Sequence, residues 1–150
     1  MRIRKVEPRD VEVVLELIKG LVEYEREPLA VINTVEKLHR DLFVEKYAEG
    51  LIAEDKNEIV GFAVYYTSYS TWKGPCLYLE DLYVVPEKRK LGAGSILFDE
   101  IVSIAKERCV ARMDWQVLDW NEPAIEFYKR KNAEIEPGWL NGRMYFPENG

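Results

Sequence analysis

The sequence predicts an α+β (mixed α/β) fold in one domain, and three observations predict it. Apolar residues at helical spacing occupy the first quarter of the chain, and β-branched and aromatic runs broken by polar turns occupy the middle. A glycine-rich turn then joins the last long strand to another amphipathic helix. No linker, low-complexity stretch or internal repeat divides the 150 residues, so one domain spanning 1–150 is expected.

After Pro8 and the potential cap Asp10, Val11, Val14, Leu15, Ile18 and Val22 fall on one helical stripe. Thr34 can cap a second helix carrying Leu38 and Leu42. Leu51-Ile52-Ala53 and Ile59 to Tyr69 read as strands joined by the turn Asp55 to Glu58, and Leu77 to Val85 is a strand stopped by Pro86. Gly92-Ala93-Gly94 opens a helix that buries Leu97, Ile101, Ile104 and Ala105. Arg112 to Leu118 returns to strand, and Asn121-Glu122-Pro123 starts a short helix with Ile125, Phe127 and Tyr128. Glu134 to Phe146 is expected to hold one or two short strands around Gly138 and Gly142. The order β-α-α-β-β-β-α-β-α-β gives a mixed sheet with helices packed on it.

Composition narrows the function. With 47% hydrophobic, 32% charged and 12% aromatic residues the chain is ordinary globular material. A net charge of −6 argues against nucleic acid as a partner. His39 is the only histidine, which excludes a Ser/His triad and a His-rich zinc site, and no metal is expected. Cys76 and Cys109 sit in no nucleophile motif. No run is long enough for a membrane span and Met1-Arg2-Ile3-Arg4-Lys5 leads into charge, so a cytoplasmic protein is expected.

Arg89-Lys90-Leu91-Gly92-Ala93-Gly94-Ser95 joins a strand to a helix. Backbone N–H groups converging there, with the helix N-terminus, suit an anion, and Arg89 and Lys90 add direct countercharge. Leu97 stands where a dinucleotide fingerprint needs its third glycine, and no Gly-Lys-Ser/Thr follows as in a Walker loop.

This block resembles the pyrophosphate-binding motif of the GNAT acetyltransferases, Arg/Gln-x-x-Gly-x-Gly/Ala. The strand Leu77 to Pro86, with Leu79-Glu80-Asp81-Leu82-Tyr83, and the segment Trp120-Asn121-Glu122-Pro123 to Phe127-Tyr128-Lys129 resemble the same superfamily in the same order. Within it the likeness is strongest to the diamine acetyltransferases, the spermidine/spermine enzyme and its thialysine-acetylating relative. The resemblance implies a mostly antiparallel central sheet flanked by about four helices, acetyl-CoA as co-substrate, a small amine as acceptor and a homodimer.

It also implies residue roles. Glu80 would recognise the amine and act as general base, and Tyr128 would give a proton to the leaving thiolate. The backbone of Leu82, Tyr83 and Val84 would line the pantetheine arm, with Arg89 to Ser95 on the pyrophosphate. Asn121, with Glu122, Pro123 and Ala124 at the start of its helix, would meet an amide of the arm. Glu80 and Asp81 are adjacent on a strand, so only one is expected to face a given cleft, and Asp81 is the second candidate for a cationic group. Tyr24, Glu25, Trp72 and Trp139 are candidates to line the pocket by charge or cation–π attraction. Where the polyamine enzymes carry Asp-Pro, this chain has Ser70-Thr71, and Ser70-Thr71-Trp72-Lys73-Gly74 resembles the thialysine-acetylating enzyme. A hydroxyl pair does not repel the carboxylate of an amino-acid substrate. Direct transfer in a ternary complex is expected; the rival readings are a polyamine acetyltransferase, a protein-lysine acetyltransferase and a non-catalytic acetyl-CoA-binding module.

Overall fold

A computed structural model describes residues 1–150, which fall into two compact units, Met1–Trp115 and Gln116–Gly150. The first holds β1 (Arg2–Lys5), α1 (Val11–Tyr24), α2 (Val35–Phe43), β2 (Glu49–Asp55), β3 (Glu58–Ser70), β4 (Gly74–Val84), α3 (Ala93–Glu107) and β5 (Met113–Asp114). The strands form one sheet in the order β1-β2-β3-β4-β5, antiparallel except for the parallel pair β4–β5. A sheet with one parallel edge and helices packed on it is the fold the sequence predicts.

Strand alternation divides the core. Ile52, Phe62 and Val64 pack with the apolar stripes of α1 (Val11, Val14, Leu15, Leu17, Leu21) and α2 (Leu38, Leu42). The intervening positions face α3: a Cβ on Gly61 would meet Leu97 Cδ1 at 3.4 Å, and Arg108, which ends α3, lies over the Tyr65 ring. Thr34 caps α2 as predicted, accepting from the Lys37 N–H at 3.2 Å.

Three sequence expectations change. The β5 strand is two residues rather than Arg112 to Leu118, because its parallel pairing with β4 consists of Leu77↔Met113 and Tyr78↔Asp114 alone. From Leu79 to Val84 β4 forms ladder pairs only with β3. The second correction is a β-bulge: Tyr65 pairs with Leu79 and Val64 with Asp81, leaving Glu80 without an opposite residue. The third is that Glu134 to Phe146 contains no strand. Pro137 lacks a ladder donor, glycines interrupt the run at 138 and 142, and no neighbouring strand supplies hydrogen bonds there. The second unit carries α4 (Glu122–Arg130) and a 3-10 turn at Pro147–Asn149. Gln116 Nε2 donates to Asn141 Oδ1 at 2.8 Å within it.

No helix is long and apolar enough to cross a membrane.

Candidate active site

The bulge decides which side chains meet. Tyr66 pairs with Tyr78, so both lie on the face that carries Phe62 and Val64, the side of α1 and α2. Simple alternation from Tyr78 would put Glu80 on that face and Asp81 on the other. Inserting Glu80 as the extra residue moves Asp81 opposite Val64, onto the α1 face as well. The expectation that only one of the two carboxylates faces the cleft is therefore corrected, and the cause is one residue of register.

Glu25 completes the group. It caps the C-terminal end of α1, where the helix dipole already disfavours negative charge. Burial and the nearby Glu80 push its carboxyl above the ordinary value. Asp81 is pushed to about 7, first by burial, then by Glu80 and Glu25. Both charges that act on Asp81 are negative. Tyr66 and Tyr78 form the wall beside it, with ring centroids 5.2 Å apart and both phenols raised by burial and by Glu80. The sequence reading missed these two tyrosines. Their signal was present, since Tyr78 and Glu80 are two apart on one strand.

Beside this face lies the glycine turn. A 3-10 turn over Pro86–Leu91 runs into Gly92, which adopts φ +78°, a left-handed conformation that a side chain would strain. Helix α3 begins at Ala93 with no side chain capping its first N–H groups. Those donors suit an anion, and so does Lys90. The side chain of Arg89, an exposed residue, contacts the protein itself: Nε donates to the Val84 carbonyl at 3.1 Å, and the guanidinium lies 5.0 Å from the Tyr24 ring centroid and 5.7 Å from that of Tyr83.

The Val85 N–H reaches Val60 O at 2.9 Å, so by alternation Tyr83 also turns its backbone groups toward β3, while Leu82 and Val84 present theirs on the opposite edge, where Arg89 Nε donates to the Val84 carbonyl.

Other predicted residues lie elsewhere. Ser70 and Thr71 sit at the β3–β4 hairpin, six positions beyond Glu80 at Gly74, or roughly 20 Å along the strand. Ser70 Oγ accepts from the Trp72 and Lys73 N–H groups at 3.2 and 3.1 Å, forming the turn. Trp72 and Trp139 are 86% and 89% exposed, so neither packs in a core. In the second unit Asn121 Oδ1 accepts from the Ala124 N–H at 3.4 Å, capping α4. Tyr128 is buried, and its ring meets Phe127 edge-on at 5.3 Å. His39 lies on the α2 surface beside Phe43, Cys76 is fully buried and Cys109 is exposed.

The model of the Acetyltransferase (GNAT) family matches residues 15–132. A thialysine N-epsilon-acetyltransferase of Caenorhabditis elegans is 36% identical over 142 residues, covering 93% of this chain and 88% of its own. The protein of the same name from Bos taurus is 38% identical over 141 residues, 88% of this chain and 83% of its own. Among solved structures, a mutant protein from Bacillus halodurans superposes with a TM-score of 0.81 over 97% of this chain and 100% of its own, at 22% identity. That likeness bears on the fold alone.

Proposed function

The chain belongs to the GNAT acetyltransferase family, and from that premise we propose that it acetylates the primary amine of a small, lysine-like amino acid, thialysine or lysine itself. The observation that carries the reading is the one-face trio Glu25, Glu80 and Asp81, in which, besides burial, Glu80 raises the Glu25 carboxyl and both raise that of Asp81. An alkylammonium supplies a countercharge, and the Tyr66 and Tyr78 rings flank its stem. The relatives named for thialysine, at 36% and 38% identity, favour an amino acid as acceptor.

Acetyl-CoA, when bound, supplies the activated acetyl thioester. The backbone N–H groups from Gly92 to Ser95, with Lys90, would hold its pyrophosphate, while Leu82 and Val84 on the β4 edge and Asn121 with Glu122, Pro123 and Ala124 at the start of α4 would hold the arm. An ammonium near pKa 10.4 must lose a proton before it can attack. Glu80, the amine-side base, accepts that proton, and Asp81, poised near neutrality, lets the cluster retain it at physiological pH. As the new C–N bond forms and the C–S bond breaks, the Tyr128 hydroxyl gives a proton to the sulfur. That role rests on the resemblance of the segment Asn121 to Lys129 to that of the GNAT acetyltransferases. Tyr128→Phe is expected to lower kcat tenfold or more and leave the Kd for CoA within twofold; unchanged turnover removes the assignment.

Thiol release from acetyl-CoA with thialysine, lysine, spermidine and putrescine tests the reading. Preference for thialysine or lysine supports it. Three carboxylates on one face also favour a polycation, so a preference for spermidine selects the polyamine reading instead. We carry the homodimer forward as well: Tyr69 and Trp72, 74% and 86% exposed at the β3–β4 hairpin, form apolar surface for a second copy. Sedimentation at twice the chain mass would support it, and at the chain mass would refute it.

A further inference from the structure

One basic residue of the glycine-turn motif has its side chain engaged by the protein itself. Arg89 belongs to the 3-10 turn that leads into Gly92, and its carbonyl accepts the Gly92 N–H at 3.4 Å. Its Nε reaches back to the Val84 carbonyl at the end of β4. Its guanidinium lies over two phenol rings, that of Tyr24 in the last residue of α1 and that of Tyr83 on β4. Tyr83 in turn abuts α1, where a Cβ on Gly20 would lie 2.9 Å from its hydroxyl. Only the missing side chain at Gly20 lets helix and ring approach so closely. The residue after Tyr24 is Glu25, a member of the carboxylate trio.

We infer that Arg89 is a positioning residue for the amine, a strut that pins the C-terminal end of α1 against β4 and so fixes Glu25 beside Glu80 and Asp81. The inference rests on the proposed amine acetylation and assigns Arg89 to the acceptor side of the site, away from the pyrophosphate. A guanidinium on two aromatic faces holds them by cation–π attraction and by planar stacking, which glutamine cannot reproduce. Because the strut begins in the turn that receives the pyrophosphate, ordering of that turn and ordering of Glu25 share one side chain.

The test compares Arg89→Gln, Tyr24→Leu, Tyr24→Phe and the Arg89→Gln/Tyr24→Leu double variant, with lysine or thialysine as acceptor. Arg89→Gln is expected to raise the amine KM about three- to fivefold, the size of an exposed cation–π contact, with the Kd for CoA within twofold. Tyr24→Leu should match it, Tyr24→Phe should restore most of the loss, and the double variant should be no worse than either single change. Weaker CoA binding with an unchanged amine KM would overturn the proposal and return Arg89 to the phosphate. A second readout does not depend on turnover. Amide hydrogen exchange over residues 21–27 should be faster in Arg89→Gln than in the wild type, and equal rates would overturn the strut. If the wild type acetylates no amine in the panel, the proposed function fails, while the exchange experiment still decides the role of Arg89.

Discussion

Two groups of carboxylates in this molecule have opposite fates. At the start of the chain Asp10 is 4% exposed and bound by Arg4, whose Nη1 and Nη2 donate to its two oxygens at 2.8 and 3.0 Å. The Glu7 N–H adds a third bond at 2.7 Å, and Arg4 also pairs with Glu54 on β2. Asp10 is held below its ordinary pKa, chiefly by Arg4. Asp81 has no such partner and is pushed to about 7. The same residue type is a structural rivet where the sequence supplies a cation. Where it supplies two more carboxylates, burial and their charge raise the carboxyl instead. The difference teaches that charge balance, more than burial, sets the direction in which a carboxylate of this chain is shifted, and a raised one is the candidate for function.

Breaking the working cluster should give the largest effect. Glu80→Gln is expected to lower kcat/KM about 100-fold or more without lowering the thermal midpoint, measured by steady-state kinetics beside a melting curve. Breaking the rivet does the reverse. Asp10→Asn leaves Arg4 short of a countercharge and should cost roughly 3 kcal/mol in denaturant unfolding, with little change in the KM for the amine.

A smaller effect sharpens the contrast through pH. Folded Asp81 keeps its proton to higher pH than the unfolded chain does. Between about pH 4 and 7 the unfolded state therefore sheds a proton that the folded state holds, and stability falls across that window. Asp81→Asn should flatten the fall and raise stability at pH 8, read as a higher denaturation midpoint than the wild type there. Asp10 contributes the opposite sign: its stabilisation is present above the ordinary aspartate value and lost as acid protonates it below about pH 4.

The sequence carried most of the fold because its signals were local. Thr34, the stripe from Val11 to Val22 and the Pro86 stop each specify a neighbour or a face. What it concealed depends on pairing between distant residues. The short β5 follows from where β4 stops pairing with it. The bulge at Glu80 follows from how β3 and β4 register, and no residue within Leu79-Glu80-Asp81 announces it. That single inserted residue turned two carboxylates expected on opposite faces into one cluster. The Arg89 contacts were hidden likewise, because a basic residue before a glycine turn announces countercharge but not the Tyr24 and Tyr83 rings beneath it. Ser70 shows the converse: its hydroxyl looked like a substrate contact and instead builds its own hairpin.

Carboxyl carbon NMR of Asp81 against pH, in the free protein and with saturating lysine and CoA, tests most directly the claim that the cluster awaits a substrate cation. The account predicts a titration near 7 in the free protein and a midpoint at least one unit lower once the ammonium is bound. A midpoint near the ordinary aspartate value in both states would contradict it.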